Sequence, residues 1–267
     1  MENSTQMQPT QQPAEEVNRY SRHSILRSEQ MYGTGFQSPG SVAMVKTFCK
    51  RLDLQPGIKV LDIGSGLGGA SFYFAENYNA IVLGLDIAQA MVEISTERKI
   101  EKHIDRVNFL HGDIRNVKLE ANSFDLIWTR DCILYVPEKT LVWQQAYSYL
   151  KPGGKLFITD FCRRPENLSI EFDTYLKQCA YYLQSVDEYA ETLRNVGFEV
   201  STREDITDTF ITSLQKELDS LTARKAQFLE EFSLEDYEYL DTRWKKKIKF
   251  CQAGDFRWGL FIAQKPV

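Results

Sequence analysis

Residues 60–70 read VLDIGSGLGGA, and the reading of this stretch decides the fold. Val60 and Leu61 close an apolar run that begins after the turn signal Pro56-Gly57, so they read as a buried strand. The strand runs into Gly64, Gly66, Gly68 and Gly69. Glycine tolerates φ > 0 and lets a backbone approach a ligand that any Cβ would hold off. Residues 71–78 then carry apolar spacing suited to a helix, so the loop joins a strand to a helix N-terminus. In a dinucleotide-binding fold such a turn seats a pyrophosphate. Here Asp62 ends the strand just before the glycines, and a carboxylate in that place repels phosphate but favours a cationic or amine-bearing ligand.

Further along, residues 81–85 read as a second strand ending at Asp86, about 20 residues past the glycines, where an acid suits hydrogen bonding to ribose hydroxyls. A helix is predicted over 88–99. A third strand over 107–110 runs into His111-Gly112-Asp113-Ile114, where a second acid is followed by an apolar residue. A fourth strand covers 124–129, and a helix over 141–150 closes on the turn Lys151-Pro152-Gly153-Gly154 before a fifth strand over 155–161. Helices follow over 171–184 and 186–195, a strand over 197–205, helices within 209–250, and a last strand over 256–264. This alternation predicts an α/β, doubly wound, Rossmann-like sheet of seven strands with helices on both faces. On the N-terminal side, 41–52 reads as an amphipathic helix and 17–32 as one or two short helices, separated by Gly33, Gly35, Pro39 and Gly40. Residues 1–15, rich in Gln, Pro, Thr and Asn, read as a disordered tail.

The 267-residue chain is 43% hydrophobic and 26% charged, the balance of an ordinary globular protein. A net charge of −5 argues against a nucleic-acid partner. Lys245-Lys246-Lys247 is a short run that reads as a solvated helix face. Cysteines at 49, 132, 162, 179 and 251 form no C-x-x-C pair, and with only three histidines neither a metal site nor a disulfide framework is expected. No apolar run approaches the roughly 18 residues of a membrane span and no signal peptide is read, so a cytoplasmic monomer without membrane partners is expected.

The spacing D-x-G-x-G-x-G from Asp62 resembles motif I of class I S-adenosylmethionine-dependent methyltransferases, whose ligand carries a sulfonium and an α-amino group. The flanks narrow the resemblance. Tyr20, Tyr32-Gly33-Thr34-Gly35-Phe36-Gln37-Ser38, Thr129-Arg130-Asp131, the post-motif turn L-K-P-G-G, Thr159-Asp160 and Arg257-Trp258-Gly259 together resemble phosphoethanolamine N-methyltransferases. The resemblance implies one methyltransferase domain over 16–267: a helical lid (16–55), a cofactor-binding core (56–160) and acceptor-pocket helices with the last strands (161–267). It implies S-adenosylmethionine held by Tyr20, Ser38, Asp62, Gly64, Gly66, Asp86, Ile87, Asp113, Ile114 and Arg130. It implies catalysis by Tyr20 and Asp131, with Tyr135 standing where the family has a His that pairs with Tyr20. Asp131 alternatively reads as a helix cap, and Trp258 as core.

On the acceptor side, Tyr175, Tyr181 and Lys247 match the family, whereas Phe161 replaces a Tyr, Cys179 replaces the phosphate-gripping Arg, and Ser28 replaces another Tyr. Losing one charge-assisted contact costs about 1.5–3 kcal/mol. These departures lead to the expectation of a small amine without a phosphate, of diamine or guanidino type. Phosphoethanolamine is the alternative; O- or C-methylation and a silent cofactor-binding homologue are further ones.

Overall fold

The computed structural model describes residues 20–267; the expected N-terminal tail lies outside the described residues. The apolar runs form strands β1 (Lys59–Ile63), β2 (Ile81–Asp86), β3 (Val107–His111), β4 (Phe124–Arg130), β5 (Leu150–Arg163), β6 (Glu199–Asp205) and β7 (Phe256–Gln264). They make one sheet in the order β3-β2-β1-β4-β5-β7-β6. The first five pair in parallel. β7 runs antiparallel between β5 and β6, a reversal that strand–helix alternation alone does not foresee.

Among the described residues ten α-helices accompany the strands: α1 (Arg22–Tyr32), α2 (Ser41–Cys49), α3 (Gly69–Tyr78), α4 (Gln89–Glu101), α5 (Lys139–Tyr149), α6 (Ile170–Cys179), α7 (Val186–Val196), α8 (Thr207–Ala223), α9 (Lys225–Glu231) and α10 (Leu234–Gln252). Side chains alternate across a strand, so successive residues feed two cores. Val60, Leu126, Trp128 and Phe157 pack on one face, Leu61, Ile127 and Ile158 on the other. On the first face Trp128 stacks on Phe157 at 4.1 Å, with Phe74 of α3 edge-on at 5.1 Å.

Two expectations are corrected. The helix expected over 171–184 ends at Cys179, because Ala180 turns left-handed (φ 52°) and the Tyr182 N–H leaves for Leu134 O at 2.8 Å. The fifth strand, expected from 155, starts at Leu150 and takes in the turn at 151–154 as a bulge, where Gly153 has φ 76° and pairing with β4 passes from Phe124–Leu150 to Leu126–Lys155. Gly153 N–H donates to Lys265 O, and Lys265 N–H donates to Gly154 O, which pins the segment to the residue following β7.

Chain order reverses between β2-β1 and β4-β5, so the loops after these strands diverge and leave a crevice at their carboxyl ends. Asp62, Asp86 and Asp131 all fall at or just past those ends.

Candidate functional site

A cavity of about 440 Å³ fills the crevice. It is lined by Tyr20, Ser28, Ser38, Asp62, Gly64, Gly66, Asp86, Ile87, Asp113, Ile114, Arg130, Asp131 and Tyr135, thirteen of the residues expected at the site from the sequence. A larger, open groove of about 730 Å³ runs past Arg163, Glu188 and Arg203. Its Arg163 is already paired to Glu188 and its Arg203 to Asp187, so it offers little uncommitted charge.

The glycine loop shows why each glycine is there. Gly64 has φ 69°, and a Cβ would sit 2.4 Å from Cys132 Sγ. Gly66 has φ 52°, but a Cβ there would meet nothing nearer than Gln37 Cγ at 3.8 Å and would project into the cavity that Gly66 lines. The first glycine answers to the protein's own packing, the second to the space for a ligand. Gly64→Ala is therefore expected to lower the melting temperature by several degrees. Gly66→Ala, with only a left-handed backbone cost of roughly 1–2 kcal/mol, should stay folded and lose at least about tenfold in cofactor affinity. Melting curves and calorimetry on both variants check this, and the reverse pattern would contradict it.

Asp86 braces the same loop. Its Oδ2 accepts from Gly66 N–H at 2.8 Å and its Oδ1 from Ala88 N–H at 2.9 Å, leaving each oxygen a second lone pair. Asp62 is buried and accepts from Ser71 Oγ at 2.6 Å; burial pushes its carboxyl up to about 7, against that hydrogen bond. Burial also raises Asp86, against the Ala88 and Gly66 N–H groups. Carboxylates kept from water on a cavity wall favour a cationic ligand end, which fits a sulfonium and an α-amino group. Ile87 (50% exposed) and buried Ile114 supply apolar lining. Asp113 is more committed than expected. Arg115 grips both its oxygens at 2.6–3.1 Å, and although burial raises its pKa, those hydrogen bonds outweigh burial and hold it low.

Asp131 sits just past β4 with a left-handed backbone, φ 53°. It does not cap a helix: its Oδ1 accepts from the Trp258 indole N–H at 2.7 Å. Trp258 is core, as expected, and also orients the acid. Asp131 Oδ2 is buried without a hydrogen-bond partner among the described residues, 3.8 Å from Arg130 Nη2. Burial raises Asp131 and lowers Arg130, each opposed by the other's charge. Arg130 also donates to Pro39 O at 2.7 Å, tying the Ser38 loop to the sheet.

Over the cavity, α1 carries Ser28 and Tyr32, with Tyr20 just before it. It is held down by Arg98 gripping Glu29 at 2.6 and 2.8 Å and by Arg27 pairing with Asp236 at 2.8 Å. Glu217 of α8 joins the layers, accepting from Gly40 N–H at 2.9 Å and Trp244 Nε1 at 2.8 Å.

The other expected acceptor residues come together behind the wall instead of on it. Phe161, Tyr175 and Tyr181 are buried in one aromatic cluster, with Tyr181 edge-on to Tyr135 at 5.3 Å and to Tyr175 at 5.9 Å. Cys179 ends α6 beside them. Lys247 is not part of a solvated face: it is 1% exposed, with Nζ 4.6 Å from the Trp244 ring centroid and 5.3 Å from that of Phe161. Burial, then the nearby Arg243 charge, bring Lys247 down to about 7. Tyr32, Trp244 and Arg243 also line the cavity; Tyr32 was read only as part of the 32–38 motif, and Trp244 and Arg243 were not singled out from the sequence. Arg243 lies one helical turn before Lys247, and projecting that lysine back by four residues would have found it.

A family model described as a methyltransferase domain matches residues 54–224. With this sheet order and glycine-loop cavity, the chain is a class I S-adenosylmethionine-dependent methyltransferase, and S-adenosylmethionine is its cofactor. It is 41% identical over 92% of its length to phosphoethanolamine N-methyltransferase 3 of Arabidopsis thaliana. It is 36% identical to the phosphoethanolamine N-methyltransferase of Plasmodium falciparum, covering 94% of both chains. The phosphoethanolamine N-methyltransferase 2 of Haemonchus contortus, solved with phosphomonomethylethanolamine and S-adenosylhomocysteine, superposes with a TM-score of 0.90 at 31% identity, over 94% of this chain and 59% of that one. The chain belongs to the phosphoethanolamine N-methyltransferase family. It spans about half the length (50%) of the plant relative.

Proposed function

We propose that this chain transfers methyl groups from S-adenosylmethionine to the amine of phosphoethanolamine, one after another. The observation that carries this reading is the similarity, over nearly the whole length of both chains, to a protein of that name from Plasmodium falciparum. It reverses the preference for an amine without phosphate drawn from Cys179 and Phe161. Those substitutions remove two contacts, but Arg243 lines the cavity and Lys247 lies buried behind it.

When bound, S-adenosylmethionine supplies an electrophilic methyl group on a sulfonium. In the proposed arrangement Asp86 accepts from the ribose hydroxyls with its free lone pairs, Gly66 leaves room for the ligand, and Asp62 meets the α-amino end. Ile87 and Ile114 pack on the adenine, while Asp113, Ser38, Arg130 and Gly64 complete the wall. Asp131, held at Oδ1 by Trp258, offers Oδ2 to the acceptor amine, orienting its lone pair and receiving a proton. Tyr20 and Tyr135 close over the amine from the α1 side. The segment 20–40 acts as the lid, and its closure excludes water before transfer.

The Asp62 assignment sets a pH dependence. Its carboxyl, at about 7 without ligand, must be ionised to hold an ammonium. Cofactor affinity should thus rise roughly tenfold from pH 6 to pH 8, because a cation binds only the deprotonated form. Calorimetry across that range should show the slope, and Asp62→Asn should flatten it; an unchanged slope in the variant would assign the titration elsewhere.

Product analysis with a labelled methyl donor tests the function itself. Phosphoethanolamine is expected to gain one, two and three methyl groups. Cofactor binding with no methylated product across a panel of phosphorylated and free amines would favour the silent homologue instead.

A further inference from the structure

Helix α10 walls the acceptor side of the cavity with Leu240, Arg243 and Trp244, and one turn on Lys247 turns inward from the same face. Arg243 donates to Tyr239 OH at 2.5 Å and Tyr181 OH at 3.3 Å, and Lys247 Nζ lies 3.5 Å from Tyr32 OH. Among the described residues neither cation is in an ion pair. The acids near Lys247 face other donors: Glu217 accepts from Gly40 and Trp244, and Asp131 accepts from Trp258 at Oδ1 with its Oδ2 3.8 Å from Arg130. The arginines that fasten α1 behave differently, each gripping a carboxylate. Two like charges four residues apart on a helix repel, and a lysine withdrawn from water without an acid is unfavourable until an anion completes the site.

We propose that Arg243 is the phosphate clamp of this chain, acting from α10 with Lys247 and the Tyr32 and Tyr181 hydroxyls, in place of the arginine absent at Cys179 on α6. The assignment rests on the phosphoethanolamine reading and explains how a pocket that lost one arginine can still hold a dianion. A guanidinium presents a planar fork of donors that matches a phosphate, whereas a thiol offers one weak donor. The two positions serve one subsite: Arg243 donates to Tyr181 OH at 3.3 Å, Tyr181 packs edge-on against Tyr175 at 5.9 Å, and Tyr175 lies one turn before Cys179 on α6.

The test separates ester binding from turnover. Phosphoethanolamine is titrated calorimetrically into the S-adenosylhomocysteine-loaded protein, and its kcat and KM are measured with S-adenosylmethionine. Arg243→Ala should weaken phosphoethanolamine binding and raise its KM by about 10–100-fold, with cofactor affinity unchanged and kcat within a few-fold. Cys179→Arg added to Arg243→Ala should recover much of the loss, which a merely structural role for Arg243 would not allow. Arg243→Ala with native phosphoethanolamine affinity overturns the clamp and leaves the proposed reaction standing. Native protein that binds the ester through Arg243 but methylates none of it overturns the reaction and leaves the clamp. Native protein that binds no ester overturns both.

Discussion

Asp86→Ala is expected to weaken S-adenosylmethionine binding by at least about 100-fold. Two effects add. The carboxylate is the proposed acceptor for both ribose hydroxyls, and each hydrogen bond to a charged group contributes about 1.5–3 kcal/mol, so losing two costs roughly two to four decades. The same carboxylate holds Gly66 N–H and Ala88 N–H, so its removal also frees the loop that shapes the cavity. Asp86→Asn keeps the shape and one acceptor oxygen and should fall between. Calorimetry with a melting curve for each variant distinguishes lost contacts from a collapsed loop. Native affinity in Asp86→Ala would remove Asp86 from the cofactor site.

Asp131→Asn is expected to lower kcat by about 100–1,000-fold while cofactor affinity changes little. Asp131 is fixed by the Trp258 indole at one oxygen and leaves the other buried and without a hydrogen-bond partner among the described residues. An amide in its place keeps one acceptor but neither the charge that orients an ammonium nor a site for its proton. Trp258→Phe keeps the carboxylate and loses its anchor, so a smaller fall, roughly tenfold, is expected. Single-turnover rates with bound cofactor read this directly. A kcat within two- to three-fold of native in Asp131→Asn would place the proton acceptor elsewhere.

What the sequence disclosed follows from the physics of each feature. The glycine loop was legible because the demand for φ > 0 and for a missing Cβ is written into residue type. The strands were legible as short apolar runs, and the doubly wound class follows from their alternation with helices. Other features depend on tertiary direction, which local pattern does not carry. Lys247 sits in a run of three lysines, and only the packing of α10 turns it inward while Lys245 stays with Asp241 at the surface. Arg243 was overlooked for the same reason. The halt of α6 at Ala180 comes from a left-handed residue with no glycine to announce it. The family's missing arginine was legible at Cys179, but whether the site had lost its positive charge was a question about space.

The central claim, that a phosphorylated amine is the acceptor, is tested most directly by competition in one vessel. Equal concentrations of phosphoethanolamine, ethanolamine and an aliphatic diamine compete for a limiting amount of labelled methyl donor, and the ratio of methylated products gives the ratio of kcat/KM. A phosphate clamp contributing two or more charge-assisted contacts predicts at least about 100-fold preference for phosphoethanolamine. Equal or greater methylation of ethanolamine or the diamine would contradict the account.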